Sequence, residues 1–547
     1  MSVTQAVKQY KWPQLAAAGF FGRRQMRGGL LWGLVFSFFI YVTVVGYTKV
    51  YNTPQERAQL FSSLSSNPAM KTILGEPHHL STIGGYIDWR ILNILVVLGA
   101  VWGLLAATKL LRGEASAGRW ELFLAGQTTQ RRAMANGLLG LAAGFLLLFV
   151  LTAVGTALTV MAPAVGFSFR QSLLFSVTAT AGAASFFAVG ALTSQIMPVR
   201  GRAAGLAAGV LGASFVLHAL AVIAPSVHWL LYTNPLGWCE AVRPFSDSQA
   251  WWLLPLGGWT VILLGLAVYI SGRGDMSHSV LADKDSSEPR TGLLRSPLAI
   301  ALRLTRASTL GWLIATAAIG LCYGSVAKAA GQAFGNIAAV QKLGDSLTHQ
   351  AQQAGIQTFA GVIFMIASVL FMMYVATAMG NVRETESQGY LDNLLVRLVG
   401  RRQWLWGRVL LVAATAAAMM ALFVGTFLLA AATQHVGLQV NKMLLAGINS
   451  LAPLVLLLGI SVCTFGLRPR ITTTVAYATV AGSFLLQMVG SVLNLNHWVL
   501  DISILRHITL APAVDPNWTA VGVYLVLGLA LAAVGVSAFN RRDIQAE

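Results

Sequence analysis

The sequence predicts an all-α integral membrane protein with about twelve transmembrane helices in two six-helix halves. Three observations carry this. The chain is 56% hydrophobic and 10% charged, with mean hydropathy +0.68, whereas a soluble domain carries about 25% charged residues. Its apolar runs repeatedly reach the ~20 residues that a helix needs to cross a bilayer, without the ~10-residue alternating pattern of barrel strands. A charged stretch at Arg112 to Arg132 recurs at Arg383 to Arg402, each time between long apolar runs. At one offset of 271, Arg112 meets Arg383, Gly118 meets Gly389, Glu121 meets Asp392, Leu124 meets Leu395 and Arg131 meets Arg402. Matches at a single spacing indicate an internal duplication.

The elements follow in order. Residues Thr4 to Arg27 mix Trp12, Leu15, Phe20 and Phe21 with Lys8, Lys11, Arg23, Arg24 and Arg27, which predicts a helix lying among lipid headgroups. No cleavable signal peptide is evident, because the apolar run that follows is long enough to stay as a span. Span one is expected at 29–50, a polar outer loop at 51–88 and span two at 89–111, followed by the first charged stretch. Spans three and four fall at 134–162 and 171–197, and Met197 to Arg202 turns into span five at 203–224. Residues 225–249, with Pro225, Pro235 and Pro244, are apolar but too broken to cross. They predict a short re-entrant or interfacial element. Span six, at 250–271, completes a first half of 1–274, and polar residues 275–292 read as a linker.

The plan then repeats over 293–547. Arg303-x-x-Arg306 echoes Arg24-x-x-Arg27. Spans seven and eight are expected at 308–330 and 358–380, nine and ten at 404–432 and 447–466, eleven at 471–493 and twelve at 517–539. A broken segment with Trp498, Pro512 and Pro516 precedes the last. Arg468-Pro-Arg470 matches Arg200-Gly-Arg202, and Arg541-Arg542-Asp543 matches Arg273-Gly274-Asp275, both at offset 268.

Net charge is +18, but the basic residues bracket apolar spans. The positive-inside rule therefore explains them better than nucleic acid does. It places both termini, the linker and both charged stretches in the cytoplasm of a multi-pass plasma-membrane protein. Cys239, Cys322 and Cys463 are far apart, so they form neither a disulfide framework nor a zinc site. No HExxH or other metal-ligand spacing occurs, and the chain has no Gly-Lys dipeptide, hence no P-loop. No catalytic residue and no metal ligand is expected. His218 and Asn93 read as packing and hydrogen-bonding residues within spans. The spans carry few of the mid-membrane ionisable groups that ion-coupled carriers use, so energy is expected to enter elsewhere.

The charged stretches offer the place. Gly118, Glu121 and Leu124 share one helical face, and Trp120, Phe123 and Leu124 can pack toward the membrane while Arg119 and Glu121 face the cytoplasm. A solvated turn would account for one such copy; two at matched positions favour docking surfaces. Phe36, Phe38 and Phe39 of span one, Met365, Phe371, Met372 and Met373 of span eight, and Phe484, Gln487 and Met488 of span eleven are candidates for an apolar path. Core packing or lipid contact is the competing role of such residues.

With Glu114 to Gly126 reading E-x-x-x-G-R-W-E-L-x-L-A-G, six spans per half, broken outer elements and an R-x-D ending, the chain resembles an ABC-2-type (type V exporter-like) permease. The fused two-half form is similar to the actinobacterial tetronasin-type, or polyketide-antibiotic, multidrug exporter permeases. The resemblance covers essentially the whole chain. It implies an N-terminal interfacial helix and a cytoplasmic coupling helix in each half. It also implies a separately encoded ATPase subunit, two copies per permease chain, carrying ATP and Mg, and outward export of amphipathic compounds. Coupling would fall to Glu114, Gly118, Arg119, Glu121 and Leu124 in the first stretch and Glu386, Gly389, Asp392 and Leu395 in the second. There Tyr390 replaces Arg119 and Val396-Arg397 replace Ala125-Gly126. Closure of the ATPases would tilt the attached spans and switch a lateral cavity, lined by spans one, two, five, seven, eight and eleven, from inward to outward access. The rival readings are an ion-coupled secondary multidrug transporter and a membrane-embedded transferase. The latter would need paired acids at the surface, and Glu56, Glu76, Asp88, Glu240 and Asp247 show no paired motif.

Overall fold

A computed structural model describes residues 16–50, 75–76, 78–80, 82–116, 118–124, 129–160, 168–223, 225–273, 296–328, 345–387, 389, 391, 400–493 and 496–544. The expected linker 275–292 lies outside them. The chain divides into two compact units, Met1–Ser287 and Glu288–Glu547, and the described residues are helical or irregular, without strands.

The first unit comprises α1 (Ala16–Val50), α2 (Ile83–Ser116), α3 (Arg119–Leu124), α4 (Gln130–Val160), α5 (Phe169–Ile196), α6 (Arg200–Ile223), α7 (Pro235–Val242) and α8 (Leu253–Ser271). Helix α2 contains two π-helical turns, Asp88–Leu92 and Lys109–Gly113. The second unit comprises α9 (Pro297–Ser325), α10 (Asp345–Ser387), α11 (Arg401–Ala432), α12 (Val440–Leu467), α13 (Thr472–Leu493), α14 (His497–Leu500) and α15 (Trp518–Arg541). Among the described residues eleven helices are long and apolar enough to cross a membrane. Helix α13, over the expected span eleven, is 22 residues long and is not one of the eleven.

One expectation is corrected. The basic N-terminal segment is not a separate interfacial helix within the described residues. Arg23, Arg24 and Arg27 lie on the same 35-residue helix as span one, and Arg303 and Arg306 likewise lie on the 29-residue α9. Gly28-Gly29 would be the natural break, but the helix runs through it and is tightly packed there. A Cβ at Gly29 would lie 2.2 Å from the Gly144 carbonyl oxygen, and one at Gly28 would lie 2.9 Å from the Trp102 indole nitrogen. Residues 4–15 of that segment lie outside the described region.

Both units follow one neighbour scheme. In the first, α1 packs along α4, and α2 and α8 both pack on α5. In the second, α9 packs along α11, and α10 and α15 both pack on α12. The fourth span of each half is therefore central, and its small residues explain why. On α5, Ala183 and Gly190 admit α2 so closely that a Cβ at Gly103 would lie 2.3 Å from the Ala183 carbonyl oxygen. Between apolar helices in lipid, such contact is a main source of association. Ser168 and Gln171 start α5 with a reciprocal capping box, and Ser296 followed by Pro297 starts α9.

The α12–α15 seam permits a direct test. Gly466 faces Gly535, and a Cβ at Gly466 would stand 2.0 Å from the Gly535 carbonyl oxygen. Backbone cannot give way as a side chain can, so Gly466→Ala is expected to part the helices and cost about 1–3 kcal/mol. Gly522→Ala, on the same α15 with open space around it, is the control. Equal melting midpoints in detergent for the two variants would contradict the seam.

Short broken elements are present where the sequence predicts them. Residues 225–233 form a 3-10 turn, Asn234 caps α7, and Arg243 turns the chain back at φ 45°. In the second unit, residues 501–517 are turns and irregular backbone. Tyr524 donates from its hydroxyl to the Ile504 carbonyl (2.8 Å) and the Asn449 amide donates to the Thr509 carbonyl (3.0 Å), anchoring the segment.

Candidate coupling stretches and the buried charges behind them

The first stretch begins where α2 widens into its second π turn. Gly118 then takes the left-handed conformation, φ +70°, and its N–H donates to the Ala115 carbonyl at 3.0 Å. Only glycine adopts this conformation without steric cost. The turn reverses the chain into α3. Trp120 is buried, its indole N–H donating to the Leu111 carbonyl (3.2 Å) and its ring against Phe21 (centroids 5.1 Å apart). Leu124 is half-buried against the core. Arg119 and Glu121 are exposed, and so is Leu122, at 76%. The Phe123 side chain lies outside the described region.

Sequence reasoning missed Leu122. It lies two residues, about 200°, around the helix from Trp120, so the burial of one aims the other at solvent. An exposed leucine flanked by Glu121 is suited to a partner's apolar pocket with a polar rim.

The second stretch repeats the turn. Gly389 has φ +72°, and its N–H donates to the Glu386 carbonyl, also at 3.0 Å. Leu391, at the Trp120 position, is fully buried. Asp392 and Leu395 lie outside the described residues.

Glu114 and Glu386, expected among the coupling residues, are placed behind the surface. Glu114 is 4% exposed and accepts from Arg24 of α1 (Nη1, 2.5 Å) and from Nε of Arg119. That hydrogen bond holds the Arg119 guanidinium more firmly protonated than usual. Glu386 is 1% exposed and accepts a two-pronged bond from Arg542, at 2.5 and 2.7 Å. The Arg542 guanidinium lies over the Phe465 and Phe539 rings, and its carbonyl accepts from Arg401 (2.7 Å). Each glutamate fastens its stretch from within, the first to the start of span one, the second to the chain beyond the last span. Arg112 adds a bond from Nε to the Pro198 carbonyl at 2.8 Å, tying the first stretch to the turn before α6.

The path candidates divide. Phe36 and Met372 are completely buried. Each is a core residue, as aromatic and methionine side chains at helical spacing usually are. Phe39, Met365, Phe484 and Gln487 are half-buried, and the Met488 side chain lies outside the described region.

A third cluster closes the other end of the first unit. Glu240 of α7 is paired with His218 Nε2 of α6 and accepts the Glu76 N–H (2.8 Å) and the Asn93 amide (3.5 Å). Burial pushes the Glu240 carboxyl up, but the facing His218 imidazole and the Glu76 N–H outweigh it and hold it below its usual range. Asp88 accepts from the Phe245 N–H (2.9 Å) and from the Ser246 N–H and hydroxyl (each 3.1 Å). His218 and Asn93 thus have the bonding roles their positions predicted. Their shared partner, Glu240, was legible only as an isolated outer acid. No grouping of His, Cys, Asp and Glu among the described residues could hold a metal ion.

Comparison with known proteins adds the family. The family described as "Multidrug efflux system permease Rv1217c, C-terminal domain" matches residues 16–270 and 294–540. The chain belongs to that permease family. It is also 27% identical over 511 residues to the multidrug efflux system permease protein Rv1217c of Mycobacterium tuberculosis (strain ATCC 25618 / H37Rv), covering 92% of this chain and 90% of the relative. With eleven membrane-capable helices, membership makes this chain a multi-pass membrane permease of the drug-efflux type. The two matched ranges each include one of the charged stretches.

Proposed function

We propose that the chain is the permease subunit of an ATP-driven ABC exporter that moves amphipathic compounds out across the plasma membrane. ATP and Mg would be held by separately encoded ATPase subunits, one on each charged stretch and hence two per chain. Both termini and both stretches would be cytoplasmic. One observation carries this reading: two stretches 271 residues apart share a left-handed glycine turn and an internally fastened glutamate at the end of a long helix. A force applied at α3 reaches α1 through Glu114–Arg24, and α2 directly. The twelve-span, two-repeat ABC-2 architecture, with α13 as the eleventh span, belongs to the same reading. The docking residues would be Arg119, Glu121 and Leu122, with Leu124 behind them, and Asp392 and Leu395 in the second copy.

The test is co-expression with ABC ATPase subunits of the source organism. Leu122→Asp is expected to lower co-purified ATPase at least ~10-fold, about 1.4 kcal/mol, at normal permease levels. Glu121→Ala should act in the same direction but more weakly, because an exposed charge contributes under ~1 kcal/mol. The permease alone should hydrolyse no ATP. Normal assembly and export by Leu122→Asp and by a Glu121/Asp392 double variant would remove the docking assignment. Robust hydrolysis by the isolated chain would remove the permease-subunit reading.

One observation favours an ion-coupled carrier instead, the buried His218–Glu240 pair, since such groups relay protons in carriers. Export that stops when the proton gradient is collapsed at constant ATP would select that reading.

A further inference from the structure

The second unit has a half-open cavity of about 550 Å³ among α9, α10 and α11. Its walls are mostly apolar, with Ile300, Leu304, Trp312, Tyr374 and Leu411 on it. One buried charged side chain stands among them. Arg408 of α11 is 6% exposed and lines the cavity. Its guanidinium lies over the Trp404 ring at 5.7 Å, and no carboxylate among the described residues pairs with it. Glu384 also borders the cavity but is exposed to solvent. A buried guanidinium within a spanning helix costs several kcal/mol unless a counter-charge reaches it. Its five donors in a planar fork match a phosphate or carboxylate.

The first unit shows what this place looks like when filled. At the 271 offset, Arg408 corresponds to Gly137 and Leu391 to Trp120. The offset that matches Arg24 and Arg27 to Arg303 and Arg306 brings Phe21 to Ile300. In the first unit Phe21 and Trp120 crowd onto Gly137, where a Cβ would lie 3.2 Å from the Trp120 ring and 3.3 Å from the Phe21 ring. The second unit thus has smaller side chains at both aromatic positions and an arginine at the glycine. At the position of Arg408 the first unit has a glycine packed against two aromatic rings.

We propose that this cavity binds the anionic head of an amphipathic molecule, with Arg408 as its counter-charge and the apolar wall against its chain. The shared chemistry is a phosphate or carboxylate on an alkyl or aryl body. Its source is either a membrane phospholipid or a transported amphiphile. The site lies within one unit and stands independently of any ATPase partner.

The full chain, purified in dodecyl maltoside, is titrated with dodecyl phosphate and with the neutral dodecanol, following tryptophan fluorescence. Phospholipid retained on purification is read by native mass spectrometry. Wild type is expected to bind dodecyl phosphate at least tenfold more tightly than Arg408→Gln does, with dodecanol showing no such difference. Arg408→Lys should recover part of the affinity. Ile300→Phe, which restores the aromatic of the first half, should weaken both probes with the charge intact, and it keeps the test open if Arg408→Gln folds poorly. Phospholipid retained by wild type and lost from Arg408→Gln would identify a lipid as the occupant. Binding of added dodecyl phosphate to a chain that retains no phospholipid would identify a transported amphiphile. Failure of wild type to bind dodecyl phosphate, or equal binding by wild type, Arg408→Gln and Ile300→Phe, would overturn the proposal.

Discussion

Glu240→Ala is expected to destabilise the first unit by about 3–5 kcal/mol, the cost of removing one partner from a buried ion pair. Glu240 joins α7, α6, the start of α2 and the segment around Glu76. Without its carboxylate, the His218 imidazole, 4% exposed, and the Glu76 N–H lose their acceptor in a place water does not reach freely. The measurement is the melting midpoint of the full chain in detergent, with limited proteolysis to locate the opening near residues 225–249. The double variant Glu240→Leu/His218→Leu should recover most of the loss, because apolar replacement of both partners is often nearly neutral. A Glu240→Ala midpoint unchanged from wild type would mean that this cluster does not stabilise its end of the first unit.

Glu386→Ala is expected to cost a similar 3–5 kcal/mol, with a functional consequence as well. Arg542, its partner, has a side chain only 14% exposed. Alanine at 386 leaves that guanidinium among the Phe465 and Phe539 rings with no carboxylate. The chain beyond α15 should detach, removing with it the carbonyl that Arg401 uses, so the second charged stretch loses its support at both ends. Protease sensitivity of the C-terminal tail, the melting midpoint and drug export should all change. The charge swap Glu386→Arg/Arg542→Glu should restore part of each. Glu114→Ala is the informative contrast: Arg24 and Arg119 have side chains 44% and 46% exposed, so water can replace the carboxylate and the loss should be well under that of Glu386→Ala. Equal losses at the two sites would show that burial does not set the difference.

Much of the fold was legible because it depends on local pattern. Apolar length marked the long helices, and prolines marked the broken elements at 225–249 and between spans eleven and twelve. The match of Gly118 to Gly389 carried through to the backbone, since both occupy the left-handed region and bond three residues back. The break expected after Arg27 was not legible correctly. Gly28-Gly29 looks like a helix end in isolation, yet the helix runs through it, packed against Gly144 and Trp102. The same limit applied to the site. Glu114, Arg119 and Glu121 looked alike as charges on one short stretch, yet one is interior and two are at the surface.

The sequence by itself determined that the chain crosses a membrane many times and that its charged stretches lie at the ends of long helices. Those properties follow from hydrophobicity, period and spacing, which the chain carries locally. Tertiary structure alone decided which charges are fasteners and which are free to meet a partner. Arg24 is 90 residues from Glu114, and Arg542 is 156 from Glu386. No periodicity spans such distances, and whether a charge is buried depends on the helix that comes to lie against it. For the same reason Arg408 reads in sequence as one more basic residue near a helix start. Packing of α9 and α10 against α11 encloses it, leaves a cavity beside it, and gives it no carboxylate partner among the described residues.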